Sequence, residues 1–418
     1  MTRILLTLAV VAAVAIVDAA DLPQEHGELV FPLRAEGNHA PGIVECPNGD
    51  FIASWYRRSG KRRADDVAVY GARKRIGESG WSKDFVMVDT HGFPDGNTCM
   101  MIDPENRLWL FWPVHIANTS ESSLTNYRFS REYTGDGPPK WGWQGAIYMK
   151  PADFSAEFKK LSMEQRKARE ELITRLSTAD RERLRAREQR IRGRSPEEIA
   201  ARIDDKMFQR LGWQVRCKPT LLSPSSKHPN GRILLPLYSD TFSLGIMAIS
   251  DDKGRTWSAG KPIMGGGAIQ PTVLPRNDGT LVAYMRDNGG SGHIKVSESK
   301  DDGETWGKVT LSELANPGAG IDGVRLANGH FCLVYNDTER GRNSLAVSIS
   351  EDEGKTWKYT RHLEHHADGA YQYPCVIQGR DSTVHAIYSY FAPSAATTEE
   401  SSIKHVAFNE AWVKQGER

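Results

Sequence analysis

Little in these 418 residues points to a redox centre, a metal cluster, a membrane span or a nucleic-acid surface. There are only five cysteines, Cys46, Cys99, Cys217, Cys332 and Cys375, odd in number and widely scattered. That spacing gives neither a disulfide framework nor a metal-ligand set, so most are expected as small buried hydrophobes, with one bridge left open. An excess of one charge is also missing, with Lys plus Arg at 54 against Asp plus Glu at 53. That balance excludes a generally nucleic-acid-binding or membrane-coating surface. No apolar run reaches the length of a mature transmembrane helix. Gly265-Gly266-Gly267 is followed by no Lys-Ser/Thr pair or helix start, so it is not a phosphate loop. His365-His366 near Asp368 fits no common metal spacing, and no cofactor is implied.

The N-terminus reads as a processing signal. Arg3 is followed by an apolar stretch over residues 4–17 and by the small residues Ala19-Ala20. Residues 1–20 are therefore expected to be a signal peptide, and residues 21–418 a mature protein that is periplasmic or secreted, without stable membrane insertion.

What the chain does have is a repeat. Residues 250–257, 299–306 and 350–357 all fit S-x-D-x-G-x-T-W, with their serines 49 and 51 positions apart. Asp bonds backbone amides across such a turn, Gly supplies a positive φ, and Trp packs between sheets. A period near 50 with a turn and an aromatic anchor marks a propeller blade.

Extended outward, the period yields six units of strand, Asn/Asp-Gly-like turn and strand. Their turns fall at Asn48-Gly49, Glu105-Asn106, Asn230-Gly231, Asp278-Gly279, Asn328-Gly329 and Arg380-Asp381. The fold class is accordingly all-β, a six-bladed β-propeller. Residues 152–212 break the pattern: Phe158, Leu161, Leu172, Ile173 and Leu176 recur at helical spacing, and Ser195-Pro196-Glu197-Glu198 reads as a helix start. This is a helical insertion between blades 2 and 3, with the charged run as its solvated face.

Connections in an antiparallel blade alternate between two faces. If the Asn/Asp-Gly turns and the repeated octapeptides share one face, residues around the starts of first strands and the ends of second strands crowd the other face. Convergent polar groups are expected there. They include His39, Arg216, Lys218, Gln270, Asp322, Tyr371, Tyr373, Arg58, Asp240, Arg286, Asp287, Asn336, Asp65, Asp66 and Arg342. Arginines converging on an axis repel unless an anion lies among them, so the expected partner is acidic.

The repeats, together with Ala283-Tyr284-Met285-Arg286-Asp287, Leu333-Val334-Tyr335-Asn336-Asp337 and Ile403-Lys404-His405-Val406, resemble the bacterial sialidase-like proteins of the sialidase (neuraminidase) superfamily. There the octapeptides are called Asp-boxes. The resemblance covers the mature chain apart from the insertion. It implies a substrate carboxylate held by arginines, here Arg286 and Arg342, with His39, Arg216 or Lys218 as a third donor. It further implies a tyrosine nucleophile at Tyr371, with Tyr373 competing, and Asp65 or Asp66 as acid/base. Two positions depart: His39 stands where an arginine is usual, and Gln270 where the glutamate that activates the tyrosine is usual. A neutral amide has no basic site for that task, and Asp322 could help instead.

The implied function is an exported glycoside hydrolase acting on a terminal acidic sugar, sialic acid or similar, of a glycan or polysaccharide. Two alternatives stand. One is a uronate-specific hydrolase or lyase with Tyr373 or His405 moving the proton. The other is a carbohydrate-binding propeller without catalysis.

Overall fold

The computed structural model describes residues 22–60, 63–175, 177, 196–393 and 400–416. The expected signal peptide, Arg62 and Leu176 lie outside the described residues. No described helix is long and apolar enough to cross a membrane.

Six antiparallel sheets form the six expected blades. Blade one is Gly37–Glu45, Phe51–Arg58, Ala68–Lys74 and Phe85–Val88; blade two is Cys99–Ile102, Leu108–His115, Ser123–Ser130 and Trp143–Ala146. In blade three, Trp213–Val215 and Thr220–Leu222 both pair with Arg232–Ser239, followed by Leu244–Ser250 and Ser258–Ala259. Blade four is Ala268–Pro275, Leu281–Asp287, His293–Ser299 and Thr310–Ala315; blade five is Asp322–Arg325, Phe331–Tyr335, Ser344–Ser350 and Tyr359–His365. Blade six is Ala370–Gln378, Val384–Phe391 and Ser401–Phe408, and its fourth strand is Glu25–Leu29 from the other end of the chain. That closing strand escapes a hydrophobic-pattern reading because His-Gly-Glu at its centre is polar and the strand is largely exposed.

Middle strands are covered on both faces by neighbouring blades, so they read as continuous apolar runs. Every residue of Leu108–His115, Arg232–Ser239, Leu244–Ser250 and Ser344–Ser350 is buried. The five cysteines are part of this interior; all are buried and free, so no bridge forms.

The octapeptide repeats have one geometry. The Ser250 hydroxyl donates to Asp252 at 2.8 Å and accepts from the Gly254 amide at 2.8 Å. Asp252 also accepts from the Thr256 amide and hydroxyl at 2.9 and 2.6 Å. The same four bonds recur at Ser299 and at Ser350. Each tryptophan then leans on the preceding blade: Trp257 meets the Phe111 and Tyr127 rings, and Trp357 the Tyr284 ring. The glycine is required for the same approach, since Gly254 has φ +83° and a Cβ there would lie 2.5 Å from Trp109.

Between blades two and three the chain forms the helices Ser155–Arg175, Pro196–Ile203 and Lys206–Arg210. Phe154 and Phe158 are buried against Phe242 of blade three, with ring centroids 5.8 and 5.6 Å apart, and Ile203 joins the same core.

Candidate functional site

On the face opposite the octapeptide turns, a cavity of about 490 Å³ opens on the propeller axis. Its walls come from the starts of first strands, the ends of second strands and the loops entering third strands. His39, Gln270, Arg286, Arg342 and Tyr373, all expected from sequence, line it together.

A local device puts the first-strand residues there. Ala40, Gln270 and Tyr373 adopt φ of 51°, 54° and 52°, and each precedes a proline, Pro41, Pro271 or Pro374. At each place the strand pairing slips, between His39 and Gly42, Ile269 and Thr272, and Gln372 and Cys375. Proline cannot donate to the ladder, and a bulge re-aims the residue before it. Left-handed backbone at a non-glycine residue costs on the order of 1 kcal/mol or more and persists where packing over-determines it.

Tyr373 is the centre of the cationic group. Its hydroxyl accepts from Arg286 Nη1 at 3.2 Å. The Arg216 and Arg342 guanidiniums lie 5.5 and 5.8 Å from its ring centroid, and the His39 ring stands edge-on at 4.5 Å. Arg342 also donates to the Gln372 side chain and to the Gly318 carbonyl. Among the side chains of the wall, Arg286 Nε and Gln270 Oε1 are buried without a hydrogen-bond partner among the described residues. One asks for an acceptor and the other for a donor, which a polyhydroxy acid supplies together.

Tyr371 lies elsewhere. It is fully buried in the core between blades five and six, beside Tyr388 and Tyr390. Burial pushes its phenol up, and its hydroxyl has no partner among the described residues. The bulge separates the two tyrosines, and the cavity receives only Tyr373.

Arg216, Lys218 and Asp322 sit beneath the cavity rather than in its wall. Arg216 donates to the Pro374 carbonyl at 2.9 and 2.8 Å and to the Ile321 carbonyl. Lys218 bonds Asp322 at 2.8 Å, and Asp322 also accepts from Thr272 and the Val376 amide at 2.9 Å each. Burial raises Asp322, but Lys218 and Arg216 outweigh it and hold the carboxyl below its usual range. These groups clamp blades three to six at the axis, and Arg216 fixes the backbone next to Tyr373.

Asp287 and Asn336 are likewise buried. Asp287 accepts from the Gly289 and Gly292 amides at 3.0 and 2.8 Å, and Asn336 donates to the Ser344 and Tyr371 carbonyls. Both shape loops. Asp65 and Asp66 are exposed and absent from the cavity wall; Asp65 accepts from Asn118 and Asp66 from Ser59. Their loop does supply Arg63 to the wall. His405, the alternative proton carrier, is buried at the outer seam of blade six, 3.0 Å from His385 and 3.2 Å from Glu28.

The wall also contains Tyr56, Tyr238, Gln372 and Phe391, which the sequence reading did not select. A register signal was available for two of them. Tyr56, Tyr238 and Arg286 each stand sixth in the run that follows the hairpin turn, counting from Phe51, Ile233 and Leu281.

The fold is similar to that of a protein of unknown function from Dyadobacter fermentans, with TM-score 0.64 and 14% identity, covering 93% of this chain and 100% of that one. It is also similar to the intramolecular trans-sialidase from Ruminococcus gnavus, with TM-score 0.62 and 14% identity over 90% of this chain and 95% of the other. By sequence, the chain is 26% identical over 178 residues to a sialidase of Micromonospora viridifaciens, 40% of this chain and 26% of that protein. It is 28% identical over 182 residues to an anhydrosialidase of Macrobdella decora, 38% of this chain and 23% of that protein. The chain spans about a quarter of the length of these curated relatives. Residues 158–386, more than half of the chain, match the model of the BNR repeat-like domain, and the protein belongs to that family.

Proposed function

We propose that this protein is a glycoside hydrolase that takes the terminal acidic sugar of a glycan into the axial cavity. The observation that carries the reading is the placement of Arg286 and Arg342 in one wall with Tyr373, whose hydroxyl Arg286 already contacts at 3.2 Å. Two guanidiniums offer bidentate, charge-assisted bonds to a carboxylate and hold the sugar over the phenol. Gln270, a neutral amide, has no basic site to take the phenol proton, so Tyr373 is required to react as a phenolate, its oxygen facing Arg286.

In the first step the phenolate Oη of Tyr373, its proton already released to water, bonds to the anomeric carbon while the glycosidic C–O bond breaks, the leaving oxygen taking a proton from a carboxylic acid. In the second, water attacks the same carbon, gives its proton to that carboxylate and releases the tyrosine. Sialic acid carries the carboxylate such a clamp would hold, and the similar proteins include sialidases.

The test is to incubate the purified protein with a fluorogenic sialoside and with a panel of acidic glycans, following released sugar and unsaturated products. Release of a free acidic sugar that is lost in Tyr373→Phe and kept in Tyr371→Phe is the expected result. Unsaturated uronates would replace the reading with a lyase, and binding without any product would leave a carbohydrate-binding propeller.

A further inference from the structure

The hydrolase reading needs a carboxyl group at the leaving oxygen, and Asp65 and Asp66 are outside the cavity wall. The wall residues comprise four arginines, Arg58, Arg63, Arg286 and Arg342, and one carboxylate, Asp240. We propose that Asp240, at the end of the second strand of blade three, is the proton-transferring carboxyl group of this site. The assignment rests on the hydrolase reading given above.

Three observations carry it. Asp240 directly follows the strand Arg232–Ser239, two residues after Tyr238, and both line the same cavity as Gln270 and Tyr373. The Asp240 charge reaches the Tyr238 phenol and, after burial, helps push it up. Asp240 is exposed within the cavity, so a sugar entering it meets this carboxyl group directly.

Its loop is also held in place by contacts that a passive surface aspartate does not need. Gln214 donates to Asp240 Oδ2 at 3.4 Å. The Phe242 amide donates to Ser239 Oγ at 3.3 Å, and Asn288 donates to Ser243 Oγ at 3.0 Å. Phe242 itself is packed between Phe154 and Phe158. The helical insertion thus serves as the buttress of the one loop that, among the described residues, brings a carboxylate to the wall, which is the rigid support a catalytic group requires.

In the first step the Asp240 carboxyl gives its proton to the departing glycosidic oxygen as Tyr373, which has released its phenol proton to water and reacts as the phenolate, bonds to the anomeric carbon; the second step returns the phenolate. In the second, the Asp240 carboxylate takes a proton from the attacking water as the bond to Tyr373 breaks. No other reactant is consumed.

The test compares Asp240→Asn with Asp65→Asn and Asp66→Asn on two substrates of one acidic sugar, one with a sugar leaving group and one with a low-pKa aryl leaving group. A positioned acid contributes typically 10²–10⁴-fold. Asp240→Asn is therefore expected to lose at least about 100-fold in kcat on the sugar leaving group and markedly less on the aryl one, with azide restoring part of the rate. The Asp65 and Asp66 variants should stay within about twofold. Cleavage by the wild type with Asp240→Asn within threefold on both substrates refutes the assignment alone. So does leaving-group-dependent loss in Asp65→Asn or Asp66→Asn. A wild type that cleaves no acidic glycan overturns the hydrolase reading and this assignment with it.

Discussion

Replacing His385 with leucine should flatten the acid sensitivity of the whole fold. His385 and His405 are stacked inside blade six with Nδ1 and Nε2 3.0 Å apart, so only one ring can present a proton to the other. Burial, helped by the charge of His405, brings His385 from its ordinary 6.5 down to about 3. Below pH 6.5 the unfolded chain therefore binds a proton that the folded chain refuses. The stability this ring contributes is complete above about pH 6.5 and is lost progressively as pH falls toward 3, at about 1.4 kcal/mol per pH unit. Between pH 6.5 and pH 5 the loss is about 2 kcal/mol.

Three other groups must be separated from it. His405, lowered chiefly by burial, loses its contribution in the same direction as pH falls, but it is present in both proteins. Burial raises Glu28, but its bonds to His405 and Lys74 prevail and hold it at about 2, so its contribution is lost only as pH falls from about 4.5 and lies below this window. Asp95, raised by burial to about 6, works in the opposite direction as a carboxyl held protonated in the fold, and it is common to both proteins. Equilibrium urea unfolding followed by tryptophan fluorescence at pH 5 to 8 supplies the comparison. His385→Leu should be about 1–3 kcal/mol less stable at pH 8, having orphaned the partner nitrogen of His405. The gap should shrink by roughly 2 kcal/mol on going to pH 5. Parallel curves across that range would refute the reasoning.

Other perturbations have directions set by the same coordinates. Arg286→Ala removes a charge-assisted donor from the cavity wall and should weaken binding of an acidic sugar by about 10- to 100-fold in calorimetric titration, the scale of one such bond. Unchanged affinity would place the site elsewhere. Gly254→Ala forces a side chain at φ +83° to within 2.5 Å of Trp109 and should cost roughly 2–5 kcal/mol, read as a lowered melting temperature with the same secondary structure. Phe158→Ala withdraws a ring from Phe242 and should lower kcat more than it changes KM, because it loosens the Asp240 loop while leaving the arginines in place. Equal activity of that variant would detach the helices from the chemistry.

The propeller could be read from the chain because its turns are chemically explicit. Asn48-Gly49, Asp278-Gly279 and Asn328-Gly329 locate hairpins, and the three octapeptides give blade register, so the face carrying Arg286, Arg342, Gln270 and His39 follows from alternation alone. What alternation misjudges is Tyr371 against Tyr373. Two residues apart on a regular strand they would share a side, but the left-handed backbone of Tyr373 before Pro374 turns them to different environments. The residue before a proline at the start of a first strand was the available sign, repeated at Ala40 and Gln270. Depth was not available in the same way. Arg216, Lys218 and Asp322 belong to the right face, yet their mutual pairing sinks them below the wall, and only a three-dimensional arrangement of blades three to six reveals that.

The strand Glu25–Leu29 has a consequence for how the protein is made. Its neighbourhood pairs residues as far as 387 positions apart, as between Leu22 and Asn409. At the usual 5–20 residues per second, a ribosome needs roughly 20–80 s to travel that distance. For that interval the strand Glu25–Leu29 waits unpaired and the ring cannot shut, because Ser401–Phe408 does not yet exist to receive it. Blades three to five, tied backward by Trp257, Trp306 and Trp357, can assemble as they emerge. The final act is a meeting of the two ends of the chain, and any circularly permuted version that cuts the ring elsewhere would relocate that wait to a different seam.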